Sequence, residues 1–303
     1  NHKELVSIRK EPLFINGKTS QYRVFSYRYI KYYFDELSLS FKPIQSPFFD
    51  ISCKEMVEGR SQGLNDKNLI SNLTLNYGKN LMDIQLKSNF MIFVDELLSP
   101  FYIFQVFSCI LWTFFENYYI YAGIIFVTTT ATLISSVISI KKNLKAIQKD
   151  GQYITTLKAF RENTFQQLSS VELVPGDLVE INDDEIFPCD MVLLSGKVIV
   201  DESILTGESI PVFKEPLKPL ASPFTIADFP QSVLFSGTKC LSKRVENKDQ
   251  RVLALVLNTG FSTTKAKLIK SFMFSPPDNF VSNKDSLKFI FGLGLFALVG
   301  FCK

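Results

Sequence analysis

The longest apolar stretch of the chain runs over residues 101–140 and contains one charged residue, Glu116. A single straight helix over this stretch would be ~60 Å long, about twice the thickness of a bilayer core. The pattern therefore predicts two membrane spans, residues 101–115 and 118–140, joined by a polar turn at Glu116 and Asn117. Aromatic residues typical of a membrane interface lie around this turn: Trp112, Tyr118, Tyr119 and Tyr121. The first span is short, so we expect it to begin earlier in the chain or to lie partly at the interface. The alternative is a buried helical hairpin of a soluble protein.

Lysine residues follow the second predicted span, and positively charged flanks of membrane spans stay in the cytosol. They are Lys141, Lys142, Lys145 and Lys149. We therefore expect the chain from residue 141 onward to face the cytosol. A third apolar run, residues 289–301, is too short to span a bilayer. We interpret residues 284–303 as the truncated start of a third span, with a buried core helix as the alternative. The chain begins without Met and ends within this run, so we expect an internal piece of a longer membrane protein.

Between the apolar runs, residues 150–270 consist of short apolar segments separated by glycine and proline. These segments predict strands at residues 151–159, 170–174, 178–181, 190–194, 198–200, 233–235 and 252–257. Pro175-Gly176-Asp177 is a turn signature, so we expect the second and third of these strands to form a hairpin. Ser262 is predicted to cap a helix over residues 263–272. The pattern predicts a compact β-sandwich or jelly-roll domain.

The composition narrows the chemistry that this chain could perform. It has 303 residues, five cysteines without a CxxC spacing and a single histidine, His2. A Ser-His-Asp triad, a Cys-His pair or a multi-histidine metal site is therefore not expected, nor is a zinc site or a disulfide framework. The formal net charge of +3 does not indicate nucleic-acid binding. Any chemistry within this chain must use carboxylates, hydroxyls or backbone amides.

One segment concentrates groups of this kind. Residues 205–209 read Leu-Thr-Gly-Glu-Ser, after an apolar run and before a proline. This pattern predicts a tight loop that leaves a strand. Gly207 has no side chain, so the loop could bring the carboxylate of Glu208 close to a phosphate, while Thr206 and Ser209 could fix the loop by hydrogen bonds. The alternative is that Glu208 is a solvated loop carboxylate.

Several spaced motifs resemble the actuator domain of P-type ATPases. The matching segments, in the order of the family, are residues 173–177 (Leu-Val-Pro-Gly-Asp), 188–190 (Pro-Cys-Asp), 201–203 (Asp-Glu-Ser), 205–209, Pro211, Lys214, 237–238 and 259–260. Other segments are similar to the type V group, and most similar to its subfamily B of endolysosomal transporters linked to polyamines. They are residues 77–80 (Tyr-Gly-Lys-Asn), 94–96, 100–107, 235–239 and 260–265.

The resemblance implies an ATP-driven transport cycle in which an aspartate elsewhere in the protein is phosphorylated. It implies a catalytic role for Glu208, which would position the water that hydrolyses the aspartyl-phosphate, together with Thr206, Gly207 and Ser209. For Asp201 and Glu202, a catalytic role and a purely structural role in holding the loop are equally expected. ATP and Mg²⁺ would be bound by parts of the protein outside this chain, and no cofactor or metal site is expected within it.

The implied partners are the lipid membrane, a transported polyamine or cation, and the phosphorylation and nucleotide-binding domains of the same full-length protein. An endosomal, lysosomal or vacuolar membrane is expected, with the endoplasmic reticulum as the alternative. Two other functions stay open: a type V subfamily A pump that extracts membrane helices from the endoplasmic reticulum, and a truncated, non-catalytic membrane scaffold.

The predicted fold class is a membrane protein of mixed α and β structure, with transmembrane helices and a cytosolic β-rich actuator domain. We expect an N-terminal cytosolic region (1–95), a hairpin of two spans (96–140), the actuator domain (141–275) and the start of a third span (284–303). In the N-terminal region, residues 22–37 are aromatic and basic. They could form a strand, a helix or a membrane-surface patch, and we favour a packed aromatic core. Residues 67–86 are expected to hold two short apolar helices.

Overall fold

The computed structural model describes residues 6–15, 18–44, 46–48, 51–60, 63–84, 88–114, 118–151, 153–245, 250–274, 288–289 and 291–294. These residues form two compact units. The first, here called the β unit, contains the described residues of Asn1–Met82 and Gly151–Met273. The second, here called the helical unit, contains those of Asp83–Asp150 and Phe274–Lys303.

The β unit begins with a four-stranded antiparallel sheet whose strands follow chain order. They are β1 (Arg9–Ile15), β2 (Lys18–Tyr27), β3 (Ile30–Asp35) and β4 (Ser40–Pro43). Aromatic rings of three strands pack together: the centre of the Phe25 ring on β2 lies 5.0 Å from that of Tyr32 on β3 and 4.8 Å from that of Phe41 on β4. The rings are half-buried. The aromatic segment at residues 22–37 is therefore mainly a β-hairpin with a partly exposed face, and not the packed core that we favoured from the sequence.

Two helices follow in the β unit, α1 (Cys53–Arg60) and α2 (Lys67–Tyr77). The carboxylate of Asp66 accepts a hydrogen bond from the backbone N–H of Asn68 and so caps the start of α2. Gly78, at φ 72°, ends it, and residues 79–84 continue without a helix. The expectation of two helices over residues 67–86 was therefore wrong for the described residues, because this glycine turns the chain out of the helix.

The helical unit contains α3 (Asn89–Leu97), α4 (Pro100–Phe114) and α5 (Tyr119–Gly151). By length and composition, α5 could cross a membrane, and α3 with α4 would do so together as a pair bent by 71°. The predicted turn at Glu116 and Asn117 lies outside the described residues, as does most of the run 289–301. The described residues of that run, like 288, are helical.

Helix α5 is longer than predicted. The second span was expected to end at residue 140, yet the helix continues through the lysine-rich segment to Gly151. Lysine, leucine, alanine and glutamine are all good helix formers, so nothing in this segment stops the helix before the glycine. Residues 141–150 consequently belong to the helical unit.

After α5 the chain returns to the β unit and builds two more antiparallel sheets. Their elements are β5 (Thr156–Arg161), β6 (Thr164–Ser169), β7 (Leu178–Glu180), β8 (Asp190–Ser195), β9 (Lys197–Asp201), α6 (Ser203–Thr206), β10 (Val212–Lys214), β11 (Val233–Leu234), β12 (Lys239–Arg244), β13 (Leu253–Asn258) and α7 (Thr264–Met273). The six-stranded sheet has the order β11-β8-β13-β7-β5-β6, and the three-stranded sheet has the order β10-β9-β12. The β-rich character predicted for this part of the chain is confirmed.

The central strands β8 and β13 are buried on both faces, and their side chains alternate between two cores. Met191 and Ala254 join the core between the two sheets, to which Val198 and Cys240 contribute from β9 and β12. Val192 and Leu255 point to the opposite face, where they pack in a second core with three residues of the N-terminal region: Phe48, Cys53 and Met56. This second core explains why the N-terminal region belongs to the same compact unit as residues 151–273.

Two local predictions in the β unit were wrong. Residues 170–174 do not form a strand: Ser170–Glu172 is a 3₁₀ turn, and β7 pairs with β5 and β13 instead of forming the expected hairpin. The reason is a local hydrogen-bonded turn, in which the N–H of Leu173 donates to the carbonyl of Ser170 and the hydroxyl of Ser169 accepts from the N–H of Val171. At α7, the hydroxyl of Thr263 accepts from the backbone N–H of Ala266, so Thr263 caps the helix instead of Ser262.

Candidate functional site

The segment that carries Glu208 connects two strands of the three-stranded sheet. β9 pairs with β10 in antiparallel register, with Val200 opposite Val212 and Val198 opposite Lys214. β12 pairs with the other edge of β9. Because Val198 and Val200 are buried in the core between the sheets, β9 is a fixed base for the loop that follows it. The loop, residues 202–211, therefore has both of its ends on one rigid sheet.

The loop backbone is organised by one helical turn and one glycine. Helix α6 ends at Gly207, which adopts the left-handed conformation with φ 78° and donates its N–H to the carbonyl of Ser203 over 2.9 Å. The hydroxyl of Thr206 donates to the carbonyl of Glu202 over 3.1 Å and accepts from the N–H of Glu208 over 3.2 Å. Gly207 thus reverses the chain at little steric cost, and Thr206 fixes the backbone on both sides of it.

A buried ion pair fixes the start of the loop to β10. The ammonium of Lys214 lies 2.6 Å from the carboxylate of Glu202, and the two side chains are only 2% and 10% exposed. Lys214 also donates to the carbonyl of Pro230 over 2.9 Å and lies 5.2 Å from the centre of the Phe235 ring. This set of partners compensates for burying the lysine charge. Glu202 is consequently an anchor of the loop.

Asp201, like Glu202, helps to fix the start of the loop. Its carboxylate accepts from the N–H of Ser203 over 2.9 Å, and this hydrogen bond lowers the pKa of the Asp201 carboxyl below its ordinary value. Asp201 lies opposite Lys239 in the β9–β12 register. The ammonium of Lys239 pairs with Asp184 over 2.9 Å, and that contact raises the pKa of the lysine.

Glu208 itself lies at the exposed tip of the loop. The apolar side chains on either side of it are also exposed: Ile204 by 62%, Ile210 by 73% and Phe213 by 62%. Ser209 is exposed as well, and within the described part of the chain its side chain has no hydrogen bond. The predicted site residues 206–209 therefore form one contiguous tip, in which Thr206 and Gly207 shape the backbone and Glu208 presents a carboxylate outward.

Other buried polar groups fix the turns of the β unit. The carboxylate of Asp177 receives two hydrogen bonds from the guanidinium of Arg161, of 2.8 and 2.7 Å, and a third from the N–H of Val174. Asp190 accepts from the backbone N–H groups of Ser236 and Thr264. Burial raises the pKa of the Asp190 carboxyl, while these hydrogen bonds oppose the shift.

Lys214, Asp177 and Asp190 lie in sequence motifs, but the sequence did not predict that their side chains hold the loops and turns of the β unit. Nor did it predict a role for Arg161, whose long-range pairing has no local signal in the sequence. Among the described residues, no group of three or more His, Cys, Asp or Glu side chains could hold a metal ion. The arrangement can therefore offer an exposed carboxylate on a loop whose ends are fixed.

Comparisons with known proteins identify the family that this chain resembles. A family model described as the P-type ATPase actuator domain matches residues 153–273. The chain is 37% identical over 293 residues to the vacuolar cation-transporting ATPase YPK9 of Saccharomyces cerevisiae, an alignment that covers 92% of this chain and 19% of that protein. It is 34% identical over 296 residues to the polyamine-transporting ATPase 13A3 of Homo sapiens, with coverage of 94% and 24%.

A third relative is the probable cation-transporting ATPase 13A4 of Homo sapiens, 35% identical over 232 residues, with coverage of 74% of this chain and 19% of that protein. The chain thus spans about a fifth to a quarter of the length of the relatives that it matches. The similarity extends well beyond the residues of the family model, into the N-terminal part of the β unit and the helical unit.

Proposed function

The chain belongs to the P-type ATPases, and on that premise we propose that it supplies the actuator of an ATP-driven transporter, in which Glu208 orients the water that hydrolyses an aspartyl-phosphate. The single observation that carries this proposal is the exposed carboxylate of Glu208 at the tip of a loop whose two ends are fixed. A rigid and accessible carboxylate is what the positioning of an attacking water requires.

The proposed reaction needs one general base. The water oxygen forms a bond to phosphorus, the bond between phosphorus and the aspartyl oxygen breaks, and a water proton passes to the carboxylate of Glu208. The products are inorganic phosphate and a free aspartate. Water is a weak nucleophile, so a carboxylate that orients it and accepts its proton accelerates the reaction, typically by about 10²–10⁴-fold.

The apolar residues around Glu208 support a docking role for the loop tip. Ile204, Ile210 and Phe213 expose most of their apolar surface, and such patches often mark interaction sites. We propose that they contact the phosphorylation domain of the same full-length protein and exclude bulk water from the reacting phosphate. ATP and Mg²⁺ would be bound by that domain and by the nucleotide-binding domain, because no described group of residues here fits a metal ion.

The test of the catalytic proposal is Glu208→Gln in the full-length protein. Glutamine keeps the size of the side chain but cannot accept the proton, so we expect the phosphoenzyme to form from ATP and to decay about 100-fold more slowly than in the unchanged protein. Decay of the radiolabelled phosphoenzyme after a chase with unlabelled ATP measures this rate.

Glu215→Gln is the matched control, because Glu215 is an exposed carboxylate just after β10, outside the loop. We expect its phosphoenzyme to decay at the unchanged rate. Normal decay in Glu208→Gln, or equal slowing in both variants, would refute the catalytic role of Glu208.

We also propose a membrane setting and a substrate class. The apolar part of α5 exposes most of its side chains, as a lipid-facing helix would. The names of the relatives include vacuolar, cation-transporting and polyamine-transporting ATPases. We therefore propose that the full-length protein transports a polyamine or another cation across an endolysosomal or vacuolar membrane. Adding polyamines should stimulate ATP hydrolysis by the purified full-length protein several-fold; stimulation by inorganic cations alone would contradict the polyamine assignment.

A further inference from the structure

The chain passes between the β unit and the helical unit at three places. It leaves the β unit after Met82, returns at Gly151 and leaves again after Met273. Three segments of the β unit are connected by hydrogen bonds: the one before the first passage, the one after the second, and the turn that begins α7, the helix before the third. These bonds involve Asn80 or its partner Ser170.

The side-chain amide of Asn80 is buried, at 8% exposure, and uses both of its functional groups. Its Nδ2 donates to the carbonyl of Ser170 over 2.9 Å and to that of Pro188 over 3.2 Å. Its Oδ1 accepts from the N–H of Gly260 over 2.8 Å. The backbone N–H of Asn80 donates to the carbonyl of Val171 over 2.9 Å. Asn80, two residues before the first passage, therefore bonds to segments that are 90 to 180 residues later in the chain.

The second passage reaches Asn80 through Ser170. The chain returns from α5 at Gly151, and Thr155 follows four residues later. The N–H of Ser170 donates to the carbonyl of Thr155 over 2.8 Å, while the N–H of Thr155 donates to the hydroxyl of Ser170 over 3.0 Å. Ser170 is 1% exposed, and Thr155 is partly buried. Thr155, near the start of the returning chain, is thus connected to Asn80 through Ser170.

The third passage is connected to Asn80 through α7 and the turn at Gly260 that precedes it. Gly260 opens the turn before α7, and α7 is the element that ends at Met273. Gly260 has φ 52°, and a Cβ at this position would lie 3.2 Å from the carbonyl oxygen of Leu81 and 3.3 Å from that of Lys79. The hydroxyl of Thr263 donates to the carbonyl of Gly260 and caps α7. The glycine thus lets the backbone before the first passage lie against the turn that begins the third.

We propose that Asn80 is a positioning residue that ties the three passages into one junction, so that the β unit and all three of its connections move as one body. This inference rests on the proposed function, because the motion it would serve is the movement of the Glu208 loop toward and away from the phosphate. A buried amide with all of its partners present fixes a geometry, whereas an amide with missing partners leaves buried polar groups unsatisfied.

The chain offers a matched control in Asn76. Asn76 is also a buried asparagine, and its amide accepts from the N–H of Phe14 over 2.8 Å and donates to the carbonyl of Phe14 over 2.6 Å. It joins α2 to β1, and the hydrogen bonds of its amide go to Phe14 instead of to Ser170 or Gly260. Asn80→Ala and Asn76→Ala therefore remove the same group from similar environments in the same unit, but only the first should loosen the junction.

The first measurement is hydrogen exchange of backbone amides in the full-length protein. In Asn80→Ala we expect exchange at Thr155, Ser170 and Gly260 to become about tenfold faster or more, at all three together. In Asn76→Ala we expect faster exchange at Phe14 and unchanged exchange at the other three. Faster exchange confined to Gly260, or the same pattern in both variants, would overturn the junction.

Asn80→Asp tests the geometry with a side chain of the same shape. The carboxylate can still accept from the N–H of Gly260 but cannot donate to the carbonyls of Ser170 and Pro188. We expect exchange at Gly260 to stay within about threefold of the unchanged protein, while exchange at Thr155 and Ser170 rises. If Gly260 loses as much protection as in Asn80→Ala, the proposed bonding is wrong. This variant also keeps the test decisive if Asn80→Ala does not fold.

The second measurement separates positioning from stability. We expect phosphoenzyme decay to be about tenfold slower in Asn80→Ala, with phosphorylation by ATP preserved, and to stay within about twofold of normal in Asn76→Ala. Equal slowing in the two variants, or normal decay in both, would overturn the positioning role. The pattern of hydrogen exchange does not depend on Glu208. A normal rate of phosphoenzyme decay in Glu208→Gln would therefore refute the catalytic proposal, while hydrogen exchange alone would decide whether the junction exists.

Discussion

At the scale of single residues, buried polar groups of the β unit pair with groups on other segments of the chain. Lys214 with Glu202, Asp177 with Arg161, and Asn80 each connect segments that are distant from one another or fix a loop. In each case the buried group would be costly without its partners, so it specifies one arrangement of the loops. Glu208, in contrast, is exposed and held only through its backbone.

Buried cysteines provide a prediction at this scale. Burial raises the pKa of the Cys240 thiol to about 11, so only about one molecule in a thousand carries the reactive thiolate at pH 8. Raising the pH from 7 to 9 should therefore leave Cys240 unlabelled by N-ethylmaleimide in the folded protein, whereas unfolding should expose it to rapid labelling. Mass spectrometry of the labelled peptides reads this out. An exposed thiol introduced by Lys218→Cys is the control, and rapid labelling of native Cys240 at pH 7 would contradict the prediction.

At the scale of elements, a strand and a turn are joined by one buried pair. Arg161 ends β5, and its guanidinium makes a bidentate contact with Asp177, the last residue of the turn at residues 173–177. The Asp177 side chain is fully buried. The turn also carries Val174, whose side chain packs against Leu64 and Leu73. The pair therefore holds the turn between the six-stranded sheet and the N-terminal region.

Arg161→Met should consequently destabilise the β unit by about 3–5 kcal/mol, because it leaves the buried carboxylate of Asp177 without its charged partner. Chemical unfolding monitored by circular dichroism gives the free energy of unfolding. Lys158→Met in the same strand is the control, since Lys158 and Glu180 form a 3.8 Å ion pair in which the lysine side chain is half-exposed. Loss of the Lys158–Glu180 ion pair should lower the free energy of unfolding by at most about 1 kcal/mol. Similar losses in the two variants would show that the Arg161 pair contributes no more than a surface pair.

At the scale of the whole molecule, the helix α5 contains the second half of the apolar run and ends at Gly151, where the chain returns to the β unit. The apolar part of α5, residues 119–140, is ~33 Å long and matches a bilayer core, while the following eleven residues add ~16 Å. Lysines in this second part would lie outside the hydrocarbon, on the side where the β unit begins. The fixed length of the helix thus predicts on which side each end lies.

A membrane-impermeant maleimide tests this topology in sealed vesicles of known orientation. Lys145→Cys should be labelled from the cytosolic side, together with Lys218→Cys in the β unit, and Tyr118→Cys should be labelled only from the opposite side. The expectation follows from the length of α5 between residues 118 and 145, which exceeds the thickness of a bilayer core. Labelling of residues 118 and 145 from the same side would show that α5 does not span the membrane.

Much of the architecture could be predicted from local sequence. The apolar run of residues 101–140, the continuous apolar segments of β8 and β13, and the glycine-centred loop at Glu208 each carry a signal within a few neighbouring residues. The motifs also sufficed to identify the family, which the relatives confirm. These features are local because helix length, strand alternation and turn formation depend on nearby residues.

The tertiary structure alone decided how the N-terminal region joins the β unit and which polar residues hold the site. Residues 170–174 look like a strand in sequence, yet they contain a 3₁₀ turn whose first residue, Ser170, bonds to the distant residues Thr155 and Asn80. Asn80 lies in a motif of the sequence that gives it no structural role, yet its partners lie 90, 108 and 180 residues away. Such contacts leave no periodic pattern in the sequence, because they depend on the packing of segments that are brought together only when the whole unit folds.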